Sequence, residues 1–419
     1  MLIAKPKLRI AIDLAYAQPN DAKACSYAKR LLKNLGEIAP AHEYIVIGSK
    51  EIFRDISPPL ANTRHVEISD TFVSSPIGSV LDRIRIAARG AFLFLFPFNV
   101  FDRLRKIYRS TYISTKLLAP FTMKDINAQL LFCPFLDSLF HSPDAPVVSV
   151  IDDLQYLAYP QFFTAQEISK RDRAFRDTCR YVSRIIAPSE FMRKVILANS
   201  NLKAEQVITV YTRGVDEIGN SVEGSEDLLK RLGVQASRYL LYPANYLPHK
   251  NHEMLFVGFN LYIQRHNKND LKIVLTGLPD DRQQFLKEIV RRMGLSKQII
   301  FAEYLLKDDF ALLMQKCYAV IIPSLYEGSG ESLLEAMSMS KPILCSNVTA
   351  LPEIARDSAL YFDPRKPDDI ANAISRLVND SALADDLVER GKLRLRELGD
   401  GRITAKEYLQ VFEDVLSAL

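Results

Sequence analysis

Two hydrophobic periods alternate along this chain. Continuous apolar runs at 8–14, 44–48, 147–151, 184–189, 207–212, 239–243, 272–277, 299–302, 318–322, 342–347 and 359–363 read as strands. Between them, apolar residues three and four apart predict helices at 26–38, 190–197, 251–266, 282–294, 308–317, 332–340 and 367–379. Strands that alternate with helices imply mostly parallel sheets covered on both faces. A polar, Gly/Ser/Glu-rich stretch at 218–225 reads as a linker. At 419 residues the chain is also too long for one ordinary core. The expected class is therefore α/β, with two doubly wound, Rossmann-like domains, 1–217 and 218–399, facing across a cleft where ligands of open sheets bind. A helical tail at 382–418 can pack on either domain, and its last part, 400–419, can return to the first.

Composition sets the context. Apolar residues make up 48% and charged residues 25%, the balance of a folded globular chain. A net charge of +4 is too small to suggest nucleic acid as a partner. The five cysteines, at 25, 133, 179, 317 and 345, are odd in number and contain no CxxC pair, which points to a reducing, cytoplasmic setting rather than to zinc or a disulfide framework. The first ten residues lack the apolar core of a signal peptide. The most apolar window, 91–101, contains a proline and is too short to span a bilayer. Arg83, Arg85, Arg89, Arg103, Arg105, Lys106 and Arg109 surround it. Segment 83–109 thus reads either as a peripheral contact with the inner membrane face or as a buried helix with a solvated basic flank.

The chemistry concentrates in PSLYEGSGESLLEAM, 323–337. This stretch reads as strand, tight loop and helix. Gly328 and Gly330 let a ligand approach the backbone amides, and the helix start offers unpaired N–H groups and partial positive charge suited to a diphosphate. Glu327 and Glu335 flank the loop. Glu335 has two readings: a carboxylate that accepts both hydroxyls of a ribose, or the second half of a Ser332-x-x-Glu335 capping box. Asp152 and Asp153 follow the run at 147–151, at a strand end where α/β folds place their chemistry, although Asp152 can equally cap the next turn. No Asp-x-Asp or metal cage is seen in the sequence.

Taken together, several segments resemble the retaining glycosyltransferases of family 4, which have the GT-B fold, and in particular bacterial mannosyltransferases. They are 323–337 with its Glu-x7-Glu, KPILCSNVTALPEI at 341–354, ALYFDP at 359–364, YPANYLPHKNHEM at 242–254, DDLQYLAYP at 152–160 and the segment 210–216. The resemblance implies roles residue by residue. Glu327 lies by the transferred sugar, Glu335 binds the ribose, and Lys250 neutralises the donor diphosphate. Asn245 belongs to the donor loop, and the Gly328, Ser329, Gly330, Glu331, Ser332 and Leu333 amides face sugar and phosphate. Tyr304 and Leu305 contact the nucleobase, and Asp152 stands on the acceptor side as a second catalytic position. Departures accompany it. Asn245 replaces a common arginine, Asp152 a frequent histidine, and 22–25 lacks the usual glycines; Gly328-Ser329-Gly330 stands for Gly-Phe-Gly, and Glu331 adds a negative charge beside the proposed diphosphate.

The resemblance therefore implies a retaining, metal-independent hexosyltransferase. It would use a nucleotide-diphosphate sugar, GDP-mannose being favoured and a UDP-sugar the other choice, with no further cofactor. Its acceptor would be a saccharide or a lipid-linked acceptor, as in polysaccharide biosynthesis. Fixed cations and amides can stabilise the departing diphosphate, which can itself take the acceptor proton. The departures at Ala24, Asp152 and Asn245 keep an alternative open: a GT-B scaffold that binds a nucleotide sugar or a partner glycosyltransferase with little turnover. A third reading is a GT-B enzyme of other chemistry, such as a sugar-nucleotide epimerase.

Overall fold

Among the described residues every strand pair is parallel, and the strands fall into two sheets of the same winding. The computed structural model describes residues 7–15, 22–56, 62–67, 122–136, 145–214, 226–266, 270–303 and 305–419. The first sheet is built from β1 (Arg9–Asp13), α1 (Ala22–Ile38), β2 (Glu43–Gly48), α2 (Lys50–Asp55), β3 (Thr63–Glu67), β4 (Leu130–Cys133) and β5 (Val147–Val150), then α3 (Gln155–Ala158), α4 (Ala165–Tyr181), β6 (Arg184–Ala187), α5 (Glu190–Ala198) and β7 (Val207–Thr209). Its strand order is β3-β2-β1-β4-β5-β6-β7.

The second unit begins with α6 (Glu226–Leu232), β8 (Tyr239–Pro243), α7 (His252–His266), β9 (Lys272–Thr276), α8 (Asp281–Arg292) and β10 (Ile299–Phe301). It continues through α9 (Lys307–Lys316), β11 (Ala319–Ile322), α10 (Glu331–Ser338), β12 (Ile343–Ser346), α11 (Leu351–Ala355), β13 (Leu360–Phe362), α12 (Pro367–Asn379) and α13 (Ser381–Leu398). The order is β10-β9-β8-β11-β12-β13. Both sheets thus reverse direction once, between β1 and β4 and between β8 and β11, and ligands of doubly wound folds bind beside such a reversal.

Local chemistry explains the elements. The inner strands are buried along nearly their whole length, as strands covered on both faces must be. Helix α12 starts with Pro367, carries Asp368 and Asp369 in its first turn and Arg376 in its last, and buries Ile370, Ile374 and Leu377 along one stripe. The last helix, α14 (Gly401–Ser417), returns to the first sheet: Ala405, Tyr408, Leu409, Phe412 and Val415 join its core, with the Phe412 ring 5.1 Å from that of Phe132.

Sequence patterning missed some elements. Helix α4 is capped by a reciprocal Thr164/Glu167 box, but it is mostly polar and its fully buried residues are only Phe175, Asp177 and Thr178, so it carries few of the apolar residues by which helices were read. The short strands β3 and β4 were also unread, and the tail is two helices, interrupted where Gly399 ends α13 and the Asp400 side chain caps α14. Segment 83–109, read as a peripheral membrane contact or a buried helix, and the linker at 218–225 lie outside the described residues. Among the described residues, no helix is long and apolar enough to cross a membrane.

Candidate active site

At the reversal of the second sheet, β8 and β11 lie side by side, and the loops leaving them are stitched together. The Tyr242 hydroxyl donates to the Lys250 carbonyl at 2.7 Å, and the Leu325 amide donates to the His249 carbonyl at 2.8 Å. Asn251, in the left-handed region at φ 61°, turns its carboxamide nitrogen to the carbonyls of Pro323 (3.0 Å) and Pro364 (2.8 Å). This framework brings Lys250 Nζ to 2.6 Å from Glu327 Oε1, with the two side chains only 17% and 16% exposed. Burial, reinforced by the Lys250 charge, pushes His249 down to about 4, so the positive charge of this turn is the Lys250 ammonium. The Glu327 backbone is held in turn by Thr349 Oγ1, which accepts from its amide at 3.1 Å, and by the Ala350 amide, which donates to its carbonyl at 3.2 Å.

Beyond Glu327 the loop runs against the first domain. A Cβ placed on Gly328 would lie 1.9 Å from the Asp152 carbonyl oxygen, and Ser189 Oγ donates to the Gly328 carbonyl at 2.7 Å. Tyr326 leaves its own domain altogether. It is 4% exposed within the first domain's core, where its hydroxyl donates to Met192 Sδ at 3.1 Å and its ring meets Phe191 edge-on at 5.6 Å. Tyr159 donates to the Leu325 carbonyl at 3.4 Å and accepts from Arg365 Nη2 at 2.7 Å. Glu353 caps a helix of the other domain: its two carboxylate oxygens accept the Glu190 and Phe191 amides, at 2.7 and 2.9 Å, at the start of α5. Buried Arg394 supports that segment by donating to the Ile354 carbonyl at 2.7 Å.

Helix α10 begins at Glu331, with Gly330 at φ 69° as its N-cap and no side chain capping it. The Ser332/Glu335 capping box is therefore not formed, because Gly330 itself turns the chain into the helix, and Glu335 stands half-buried in the following turn. Leu333 contributes no side chain here: it is buried in the second core, and its amide donates to the Gly330 carbonyl at 3.0 Å. Ser329 and Ser332 are half-buried on the loop and first turn. The charge of Glu331 is directed at the first domain, with Oε1 3.4 Å from Arg30 Nη2 on α1.

Of the paired aspartates, Asp152 is exposed and Asp153 turns inward. Asp153 accepts the Gln155 amide at 2.6 Å, and burial pushes its carboxyl up to about 6. Burial also raises the Tyr408 hydroxyl to about 12, with the negative charges of Asp152 and Glu331 adding to the effect, so the first domain's last helix shares an electrostatic neighbourhood with both acids. Lys250, Glu327, Gly328, Asp152 and Glu331 thus converge where the domains meet. Asn245 is exposed, with its Oδ1 accepting the Leu278 amide at 3.0 Å in the loop after β9, and Leu305 leans half-buried on the second core. Tyr304 lies outside the described residues. Arg30, Tyr159, Ser189, Tyr326, Glu353 and Arg365 were not singled out by sequence reasoning. Tyr159, Tyr326 and Glu353 stood within quoted motifs, but nothing in a linear pattern shows that a side chain crosses to another domain.

Comparison with known proteins agrees with this architecture. Residues 226–394 match the family described as "Glycosyl transferases group 1". A stretch of 271 residues, 63% of this chain and 71% of the relative, is 24% identical to O-antigen chain mannosyltransferase B of Escherichia coli. Serotype-specific mannosyltransferase WbdA of Escherichia coli is 25% identical over 58% of this chain but only 29% of its own length. Among solved structures, sucrose-phosphate synthase of Thermosynechococcus elongatus superposes with a TM-score of 0.69 at 17% identity, covering 99% of this chain and 100% of that one. Anabaena HepE in complex with UDP-glucose gives 0.67 at 15% identity, covering 98% and 100%. The chain has the two-domain GT-B fold of these solved structures, and its residues 226–394 resemble the glycosyl transferases of group 1.

Proposed function

We propose that this protein transfers a hexosyl group, with retention of anomeric configuration, from a nucleotide-diphosphate sugar to a saccharide or lipid-linked acceptor. GDP-mannose is the favoured donor, since O-antigen chain mannosyltransferase B and WbdA are mannosyltransferases by name. The observation that carries the reading is the 2.6 Å Lys250–Glu327 pair at the reversal of the second sheet, shortly before an uncapped helix start, with the next residue, Gly328, against the Asp152 backbone of the first domain.

In this reading the donor diphosphate lies against Lys250 and the first amides of α10, a fixed electrostatic environment that costs no reorganisation as the leaving-group charge develops. Glu327 holds the sugar and stabilises positive charge at its anomeric carbon. The bond from that carbon to the phosphate oxygen breaks, the acceptor oxygen bonds on the same face, and the acceptor proton passes to the departing diphosphate. Glu335 takes the ribose hydroxyls. Neither a metal nor a cofactor besides the donor is called on for these steps.

A thermal-shift screen with GDP, UDP and ADP sugars, followed by transfer assays and NMR of the product anomer, tests the proposal. Stabilisation by a GDP-sugar and an anomer matching the donor's are expected. Nucleotide binding without transfer in the wild type would favour a non-catalytic scaffold, and an inverted product would overturn the retaining mechanism.

A further inference from the structure

The geometry points to Arg30, on the first domain, as a ligand of the donor diphosphate that reaches the site across the cleft. This rests on the function proposed above and adds a residue to it. The first domain enters through α1, where Ala28, Leu31, Leu32 and Leu35 bury one stripe in the core and leave Tyr27 and Arg30, three residues apart, on the flank that meets the second domain. Tyr27 shares a 2.8 Å hydrogen bond with Tyr408 of α14, and its hydroxyl is pushed up by burial and by Glu331 among other groups. Arg30 projects to Glu331, the first residue of α10, with the two side chains 19% and 17% exposed.

Charge balance makes the case. Around the proposed diphosphate the second domain sets two carboxylates, Glu327 and Glu331, against one ammonium, Lys250. A second cation from the donor loop is absent, because position 245 is an asparagine committed to the Leu278 amide. Two acids and one base would repel an incoming dianion; Arg30 restores the balance and adds a planar donor set suited to phosphate oxygens. Glu331 then has a positive role. It holds the guanidinium beside the helix start, so a diphosphate arriving there meets a cation already in place.

Because Arg30 and Lys250 sit on different domains, the full phosphate site exists only with the domains together.

The test is isothermal calorimetry on the full chain with GDP, GMP, UDP and UMP, for wild type, Arg30→Gln, Arg30→Lys and Glu331→Gln, with thermal unfolding as a check on folding. Arg30→Gln is expected to lose about tenfold in affinity for the preferred diphosphate while binding the corresponding monophosphate as before, which a general loss of structure would not do. Arg30→Lys should recover part of the loss, and it serves as the readout if the glutamine variant fails to fold. Glu331→Gln, which keeps an acceptor oxygen to hold the guanidinium while removing a negative charge, should bind the diphosphate as tightly as wild type or more so. Unchanged diphosphate affinity in Arg30→Gln would overturn the inference. So would a loss in Glu331→Gln as large as that in Arg30→Gln, which would reduce the pair to a latch between domains. A wild-type protein that binds no nucleoside diphosphate would instead refute the proposed function itself.

Discussion

Gly328 of the second domain and Asp152 of the first touch backbone to backbone, so closely that a β-carbon on residue 328 would fall 1.9 Å from the Asp152 carbonyl oxygen. The glycine is demanded by close approach between domains. Gly328→Ala must push the two strand ends apart by an ångström or more, and misplacement on that scale costs about 10²-fold in a positioned reaction. A fall of that order in kcat/KM is expected with little change in circular dichroism; wild-type activity in the alanine variant would show that the contact does not position the site.

Lys250 and Glu327 form one electrostatic unit, so their substitutions should not add. Lys250→Ala and Glu327→Ala are each expected to lower kcat/KM for the donor by about 10²–10³-fold, as loss of a preorganised charge does. The double variant should fall little further. A double-mutant cycle with fully additive losses would show that the two residues act separately.

The Glu353 carboxylate is a cap supplied by one domain to a helix of the other. Glu353→Ala leaves the Glu190 and Phe191 amides without that acceptor and removes a negative charge from the start of α5, a change of about 1–2 kcal/mol. Lower thermal stability and a lower kcat are expected together, since the same contact aligns the cleft. Glu353→Gln, which keeps one acceptor oxygen, should recover part of both. Loss of stability at unchanged kcat would confine the residue to a structural role.

Acid sensitivity should come partly from His252. Its ring lies fully buried against Tyr242 and Tyr246, with no hydrogen-bond partner for either nitrogen among the described residues, and burial pushes it down to about 3. Its pKa is thus lower folded than unfolded, and the unfolded chain binds more protons below the usual histidine value of about 6.5. The stability this residue permits is complete above that value and is lost as the pH falls from about 6.5 towards about 3. His252→Phe, similar in shape and without a titrating group, should flatten the fall in urea-unfolding free energy between pH 7 and 5 by on the order of 2 kcal/mol. Parallel pH profiles for variant and wild type would refute this.

Much of the second domain was legible in the sequence because its strands are continuous apolar runs and its helices carry full stripes, as in α12. The first domain was less so. Strand β4 is only four residues long, and helix α4 is mostly polar, with Phe175 the one apolar residue fully buried on it, so neither stands out as an apolar segment. The reading of Ser332 and Glu335 as a capping box failed for a different reason: the side-chain spacing was right, but Gly330 had already turned the chain into the helix.

What the sequence alone determined is the local order of strand, loop and helix and the residue types placed at each strand end, because period and turn chemistry act over a few neighbouring residues. Only the tertiary structure decided which of those ends meet. Lys250 reaches Glu327 because β8 and β11 are neighbours, and Asp152, Arg30 and Glu190 reach Gly328, Glu331 and Glu353 because two separately wound domains meet through their loops and helix ends. Such pairings depend on sheet order and domain packing, interactions between residues up to some three hundred positions apart, and no pattern read along the chain carries that information.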